Sequence, residues 1–198
     1  MVTPPEDWEP DFVYQGMRGM IFSSPTEDAP SVRQCVAGVS LPGVVVQDNW
    51  FQVRLPDDEV GYLRTQGDLH LPKDLADRIL FTGERFLGTS YIWGGKTALG
   101  CDCSGFVQTV FWLNGVNLPR DSWQQAEKGK EITAEQAEAG DLFFFAEKDR
   151  VSHVGIAYNS HRFIHSSGFV RINSLDRNAD DYSPKHASTF MTARRLLN

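Results

Sequence analysis

A glycine-rich stretch that leads directly into an apolar helix is the feature that most constrains the fold of this chain. The stretch runs from Trp93-Gly-Gly95 to Gly100, and Cys103 follows where helical apolar spacing begins. Two histidines come later, His153 and His165, each within a run that has the composition of a β-strand. A thiol at a helix start, with histidines on later strands, is the layout that cysteine nucleophile chemistry needs. We therefore expect an enzyme.

The bulk properties of the chain exclude several classes of partner. Its 198 residues include 41% hydrophobic and 23% charged side chains, as in soluble globular proteins. The net charge of -7 argues against nucleic acid as the main partner, because phosphate binding needs a basic face. No apolar run approaches about 18 residues, so we expect no membrane span. We also expect a monomer.

The N-terminus and the cysteines bear on the compartment. The first ten residues contain neither a basic region nor an apolar core, so we expect no signal peptide. Cys35, Cys101 and Cys103 are too few for a disulfide framework, and free thiols suit a reducing compartment. We expect a cytoplasmic protein; a secreted or periplasmic one is the alternative if the sequence is a trimmed part of a longer chain. No second Cys/His pair lies at ligand spacing, so we expect no metal and no cofactor.

The first third of the chain has the pattern of a small β-barrel. Short runs of β-branched and aromatic residues alternate with turn residues, which predicts a series of short strands. These predicted strands are 13–14, 19–22, 33–36, 43–46, 50–54 and 61–64. The sequence Asp48-Asn-Trp-Phe-Gln-Val53, an acidic turn and Gly61-Tyr-Leu63 resemble a bacterial SH3 (SH3b) domain. We expect this domain over residues 1–72.

From residue 73 onward the pattern changes to helices followed by strands. Asp74 precedes a run with helical apolar spacing that Gly88 ends, and a second helix is predicted from near Cys103 to Gly115. A short helical piece over 122–128 and strands over 141–146, 151–158, 162–165, 170–172 and 189–196 complete the pattern. This order predicts an α+β domain, with helices packed on an antiparallel sheet, over residues 73–198.

The predicted elements place complementary chemistry around the thiol. The N–H groups of a helix start favour negative charge at Cys103, so we expect the pKa of this thiol to be lowered. His153, in mid-strand, is placed to accept the thiol proton and to pass it to a leaving amine. His165, on the next strand, can contact the other ring nitrogen and fix its tautomer. The Tyr91 hydroxyl and the backbone N–H of Cys103 can donate to an oxyanion.

Six short motifs carry a family resemblance. In order they are Tyr91-x-Trp-Gly-Gly95, Asp102-Cys-Ser-Gly105, Leu118-Pro-Arg-Asp-Ser122-x-x-Gln125, Gly140-Asp-Leu-Phe-Phe144, His153-Val-Gly-Ile156 and Phe163-Ile-His165. From Asp74 onward the chain resembles an NlpC/P60 family cysteine peptidase, which has a papain-like fold. The resemblance implies Cys103 as nucleophile and His153 as base. It also implies His165 as the orienting group and Tyr91 at the oxyanion side.

The C-terminal tail narrows the resemblance. The matching pieces are Asn173-Ser-Leu-Asp176, Tyr182-Ser183, Ala187-Ser-Thr-Phe190 and Ala193-Arg-Arg-Leu196. With the SH3b-like region, they resemble γ-D-glutamyl-L-diamino acid endopeptidases of the dipeptidyl-peptidase VI type. That resemblance implies a murein peptide substrate with a free N-terminal L-alanine, cut between D-glutamate and diaminopimelate or lysine.

Binding of a free amine needs a carboxylate, and Asp102 adjoins the nucleophile. Ser104 and Ser122 match the family positions that help to hold the amine. Either Trp50 or Tyr62 of the SH3b-like region is expected to reach the cleft, and the sequence does not decide between them.

Several alternatives stay open at this point. Tyr91 can be a core residue, and Asp102, Ser104 and Ser122 can serve as helix caps alone. Arg120 can pair with Asp121 or with a carboxylate of the ligand. The whole scaffold also suits an amidase or acyltransferase, or a module that binds wall peptides without catalysis. The other three histidines, His70, His161 and His186, are expected to be solvated.

Overall fold

The computed structural model describes residues 7–65 and 71–197 of the chain, which divide into two compact units. The first unit extends to His70 and the second begins at Leu71. The predicted boundary, between residues 72 and 73, lies two residues further on. Within the described ranges, none of the helices is long and apolar enough to cross a membrane.

The first unit is built from short antiparallel strands. They are β1 (Phe12–Val13), β2 (Arg18–Phe22), β3 (Ser31–Val36), β4 (Ser40–Leu41), β5 (Gly43–Gln47), β6 (Trp50–Arg54) and β7 (Val60–Arg64). Five of them form a sheet in the order β3-β2-β7-β6-β5, and β1 pairs with β4. Its core holds buried Tyr14, Ile21, Cys35, Val53 and Leu63. All six predicted strands are present, and β4, which is only two residues long, was not predicted.

Over its described residues, 71–197, the second unit contains four α-helices and a larger antiparallel sheet. Its helices are α1 (Leu75–Glu84), α2 (Cys103–Leu113), α3 (Ser122–Gln125) and α4 (Pro184–Thr189), with a 3₁₀ turn at Ala134–Gln136. Its strands are β8 (Lys96–Thr97), β9 (Gly100–Cys101), β10 (Lys130–Ile132), β11 (Leu142–Glu147), β12 (Arg150–Ala157), β13 (Arg162–Ser167), β14 (Phe169–Ser174) and β15 (Phe190–Arg195). The sheet order is β10-β15-β11-β12-β13-β14, and β8 pairs with β9. The predicted α+β class with helices before strands is therefore correct for this unit.

Helix α2 is the central element of the second unit. It packs against α1 and against β12 and β13 of the sheet. Phe106, Val107, Val110 and Phe111 are fully buried, and the Phe106 ring meets the Phe86 ring edge-on with the centroids 5.8 Å apart. Complete burial of each such side chain contributes about 1.5–3 kcal/mol, so the orientation of α2 over the sheet is strongly fixed.

Helix α1 begins where it was predicted but ends earlier. The Asp74 side chain accepts hydrogen bonds from the backbone N–H groups of Ala76 and Asp77 at 2.8 and 3.2 Å, which caps the helix. The helix ends at Glu84 rather than at Gly88. Tighter three-residue turns follow, and the N–H of Gly88 donates to Val170 of β14 at 2.9 Å. Pairing with the sheet therefore ends the helix before its glycine.

A tight turn and an ion pair connect the strands of the sheet. The β11–β12 hairpin turns through Lys148 and Asp149, both with positive φ (51° and 61°), as in the two-residue turns whose twist matches antiparallel strands. Asp141, just before β11, is buried and accepts from Arg195 of β15, with an Nη2–Oδ2 distance of 2.8 Å. The Asp141 carboxylate also accepts the backbone N–H of Glu138. The aspartate of the Gly140-Asp motif thus joins the last strand to the middle of the sheet.

Candidate active site

Cys103 is the first residue of α2, and only 7% of its surface is exposed. The helix is capped by Asp102, whose Oδ1 accepts the N–H of Gly105 at 2.7 Å. A β-carbon at position 105 would overlap the carbonyl oxygen of Gly95. Glycine is therefore required where the glycine-rich loop lies against the helix start, and this contact positions the thiol.

A chain of hydrogen bonds joins three side chains on adjacent strands. His153 Nε2 of β12 lies 2.7 Å from His165 Nδ1 of β13, and His165 Nε2 lies 3.0 Å from Asn173 Oδ1 of β14. The Asn173 amide nitrogen donates to the carbonyl of Asp181 at 2.9 Å, which defines which end of the amide faces the ring. Because Asn173 Oδ1 can only accept, His165 must donate from Nε2 and accept at Nδ1. His153 must then donate from Nε2, so the lone pair of its Nδ1 is free.

Gly155, two residues after His153, permits the close approach of the two histidine strands. A β-carbon there would lie 2.8 Å from the ring of Phe163 and 3.1 Å from the β-carbon of His165. Any larger residue would push β13 away from β12. The glycine in His153-Val-Gly-Ile156 is thus explained by the close approach of Phe163 and His165 to this position.

The thiol lies beside the strand that carries His153. The backbone N–H of Val154, the next residue, acts on the Cys103 sulfur and favours its charged form. Within the described ranges, no hydrogen bond joins the Cys103 sulfur to the His153 ring. Direct proton transfer between these two groups therefore stays a prediction.

The electrostatics of the resting site favour neutral groups. Burial raises the pKa of Cys103 above its ordinary 9.0, and the Val154 N–H only partly offsets this effect. Burial lowers the pKa of His153 well below 6.5 and that of His165 to about 3. The predicted lowering of the thiol pKa is wrong for this state, since desolvation outweighs the helix start. Burial thus favours a thiol and a neutral imidazole in the resting site.

Two cavities meet at the candidate site. The larger, of about 500 Å³, is lined by Cys103, and we call it the thiol cavity. The smaller, of about 270 Å³, is lined by His153, and we call it the imidazole cavity. Tyr91 and Ser152 line both cavities. Tyr91 is 37% exposed, so it is not a core residue, and it lies at the junction of the two cavities.

Asp102 pairs with Arg120, a partner that the sequence did not reveal. Its carboxylate accepts two hydrogen bonds from Arg120, with N–O distances of 2.6 and 3.0 Å, and one from the N–H of Gly94. Burial alone would raise the pKa of Asp102, but these bonds and that of Gly105 lower it. Arg120 thus pairs with Asp102 rather than with Asp121. An ammonium group at Asp102 would have to share this carboxylate with the guanidinium.

The two serines of the predicted amine site line the thiol cavity. The buried Ser104 hydroxyl accepts from Arg120 at 2.9 Å, and Ser122 is the buried first residue of α3. Gln125, whose role the sequence did not reveal, donates from Nε2 to the carbonyls of Ser104 and Pro119. This buried amide holds α3 against the start of α2 and so shapes the wall of the cavity.

The two aromatic residues expected from the first unit differ in exposure there. Trp50 is 7% exposed and meets the Phe22 ring edge-on, whereas Tyr62 is half-buried. Their placement toward the cleft stays a prediction.

His186 was predicted to be solvated, and this is wrong. It lies on α4, is 5% exposed, and its ring centroid is 4.5 Å from that of His165 and 5.2 Å from that of His153. Ser183-Pro184, a typical helix start, was the signal that could have revealed α4. His161 is exposed, as predicted, and His70 lies outside the described residues.

A side-chain nitrogen from each of His153, His165 and His186 lies within 4.8 Å of the others. However, His153 Nε2 and His165 Nδ1 bond to each other, and His186 Nδ1 lies 2.7 Å from Ser183 Oγ. Nearby Lys185 also disfavours a further cation. Hydrogen bonds thus already occupy one ring nitrogen of each histidine, two of them within the His153–His165 pair and the third at Ser183.

Comparison with known proteins defines the family. The NlpC/P60 family model matches residues 88–190, a range that includes all six motifs. The chain belongs to the NlpC/P60 family. A crystal structure of an NlpC/P60 family protein from Bacillus cereus ATCC 10987 superimposes with a TM-score of 0.78 at 30% identity, covering 94% of this chain and 63% of that one.

Two curated relatives are named γ-D-glutamyl-L-lysine dipeptidyl-peptidase. The chain is 31% identical to the Bacillus cereus protein over 96% of its own length and 58% of the relative's. It is 42% identical to the Bacillus subtilis protein over 48% of its own length and 33% of the relative's. The chain therefore spans less than two thirds of the length of these NlpC/P60 relatives.

The hydrogen-bond chain predicts the tautomers of two histidines. Imidazole ¹⁵N NMR at pH 7 should show both His153 and His165 neutral and protonated at Nε2, with no protonation step near 6.5, because burial lowers both pKa values. Replacement Asn173→Leu removes the acceptor, so the rings should populate the Nδ1–H tautomer; exposed His161 serves as the control signal. Wild-type rings protonated at Nδ1, or an unchanged spectrum in Asn173→Leu, would contradict this hydrogen-bond arrangement.

Proposed function

We propose that the chain is a cysteine peptidase that hydrolyses the γ-D-glutamyl–L-diamino acid bond of murein peptides with a free N-terminal L-alanine. The observation that carries the proposal is the Asn173–His165–His153 hydrogen-bond chain beside the Cys103 helix start, at the junction of two cavities. Membership of the NlpC/P60 family and the names of the two relatives support this substrate class.

The proposed reaction passes through an acyl-enzyme. As the substrate enters, His153 Nδ1 takes the thiol proton and the Cys103 sulfur attacks the γ-carbonyl carbon. The oxyanion accepts hydrogen bonds from the Tyr91 hydroxyl and the Cys103 N–H. His153 then gives the proton to the leaving α-amine as the C–N bond breaks. Water, deprotonated by His153, releases the dipeptide and restores the thiol.

His165 and Asn173 act through His153 and are positioning residues. By holding Nε2 of His153 as the donor, they keep Nδ1 unprotonated and available as the base. When His153 becomes positively charged during the reaction, the Nδ1 lone pair of His165 accepts a stronger, charge-assisted hydrogen bond. The network is thus better matched to the charged intermediate than to the resting state.

We further propose an SH3b domain in the first unit. The five-stranded antiparallel sheet of short strands supports this assignment. A free substrate amine would bind in the thiol cavity near Asp102, Ser104 and Ser122. A monomer that acts in the cytoplasm on released murein peptides completes the proposal.

A second candidate is a module that binds wall peptides without catalysis. It is favoured by one observation, namely that the resting thiol is neutral and makes no hydrogen bond to the His153 ring within the described ranges. An amidase or acyltransferase would instead leave murein peptides intact yet retain a Cys103 that iodoacetamide modifies.

The first test is removal of the nucleophile. Cys103→Ala should abolish cleavage of L-Ala-γ-D-Glu-L-Lys and L-Ala-γ-D-Glu-diaminopimelate, measured by mass spectrometry, because it removes the sulfur that forms the acyl-enzyme. Circular dichroism should show that the variant remains folded. Cys35→Ala, in the first unit, is the matched control and should keep its activity. Full activity of Cys103→Ala would exclude the mechanism.

The second test concerns the free amine. Acetylation of the N-terminal alanine removes the charge that the carboxylate of Asp102 is proposed to bind, so kcat/KM should fall by orders of magnitude. A charge-assisted bond contributes about 1.5–3 kcal/mol, and the acetyl group adds a steric penalty. The rates for free and acetylated peptide should be measured side by side. Equal rates would exclude the amine site while leaving the bond specificity intact.

A further inference from the structure

The imidazole cavity lies where the leaving group of the proposed reaction must bind. His153 passes a proton to the leaving amine, so the leaving group must lie on the His153 side of the scissile bond. The acyl part then occupies the thiol cavity, next to Cys103. The two cavities share Tyr91 and Ser152, so a peptide can extend from one into the other.

Two opposite charges line the imidazole cavity. Lys185, on α4, and Glu147, at the end of β11, form an ion pair with an Nζ–Oε1 distance of 3.6 Å. Both side chains are largely exposed, so the pair is weak and its members can take other partners. Neither residue belongs to the motifs that carry the family resemblance.

The other polar walls of this cavity are neutral. Burial lowers the pKa of His186 to about 4 and that of His153 well below 6.5, so neither ring carries a charge at neutral pH. Lys185 is therefore the cation among the residues that line the cavity, and Glu147 is the anion. The cavity that His153 lines therefore presents one positive and one negative group.

The volume and the charges fit one amino acid. About 270 Å³ is below the range typical of drug-sized ligands. A diamino acid released by the proposed reaction carries an α-carboxylate next to the leaving nitrogen and an ammonium group at the end of its side chain. These two charges are complementary to Lys185 and Glu147, and all four can form an alternating cluster.

We propose that the imidazole cavity is the leaving-group subsite, in which Lys185 binds the free α-carboxylate of the diamino acid and Glu147 binds its distal ammonium group. This inference rests on the proposed function and narrows it. The preferred substrate is a tripeptide that ends at the diamino acid, because a further residue converts that carboxylate into a neutral amide.

Three substrates with the same acyl half test the subsite. They are L-Ala-γ-D-Glu-L-Lys, its C-terminal amide, and L-Ala-γ-D-Glu-p-nitroanilide. Lys185→Gln should lower kcat/KM for the free acid about tenfold, as expected for loss of one charge-assisted bond. The same variant should leave the amide and the anilide unchanged, which also shows that its catalytic centre is intact.

Matched variants separate the two charges. Glu147→Gln should lower kcat/KM for the lysine peptide but not for the analogue that ends in norleucine, which lacks the ammonium group. Lys148→Gln removes a neighbouring charge that does not line the cavity, and it should change none of the rates. These results would support the subsite.

Two results would overturn it, and they are distinguishable. If Lys185→Gln lowers the rates for acid, amide and anilide equally, or lowers none, Lys185 does not bind the carboxylate. If the wild-type protein cleaves none of the three substrates, the proposed function fails and the subsite fails with it.

Discussion

The hydrogen bond between His153 and His165 is the interaction on which the candidate site depends. It joins two strands. The Asn173 amide, which bonds to the other nitrogen of His165, determines that the free lone pair of His153 is on Nδ1. Each member is buried or half-buried, so water cannot easily replace a lost partner. Hydrogen bonds across three adjacent strands, rather than the thiol, therefore determine which ring nitrogen of His153 carries the proton.

Two close contacts around this network are possible only because a glycine occupies each position. Gly105 lets the glycine-rich loop lie against the start of α2, and Gly155 lets the β-carbon of His165 lie near β12. The fully buried apolar face of α2 then holds the Cys103 end of the helix over the sheet. Packing thus brings the thiol beside the strand that carries His153, and burial raises the pKa of the thiol and lowers that of His153, which favours the neutral form of both groups.

The sequence predicted most elements because their signals are local. The strands of the first unit, the Asp74 cap and the helix that begins at Cys103 follow from apolar spacing and turn residues. What it missed depends on tertiary contacts: the burial of His186, the Arg120–Asp102 pair and the raised pKa of the thiol. A helix start favours thiolate, but only the packed structure shows how much water the site excludes.

In the proposed mechanism, the Cys103 thiol is neutral at rest and His153 accepts its proton. The most direct test is the pH dependence of Cys103 alkylation by iodoacetamide. Wild-type protein should react at neutral pH at least tenfold faster than His153→Gln, in line with general-base assistance of about 10²-fold or more. The two curves should converge above the thiol pKa, which burial raises beyond 9.0. His161→Gln, at an exposed position, should match the wild type. Superimposable curves for wild type and His153→Gln would show that this imidazole does not act on the thiol.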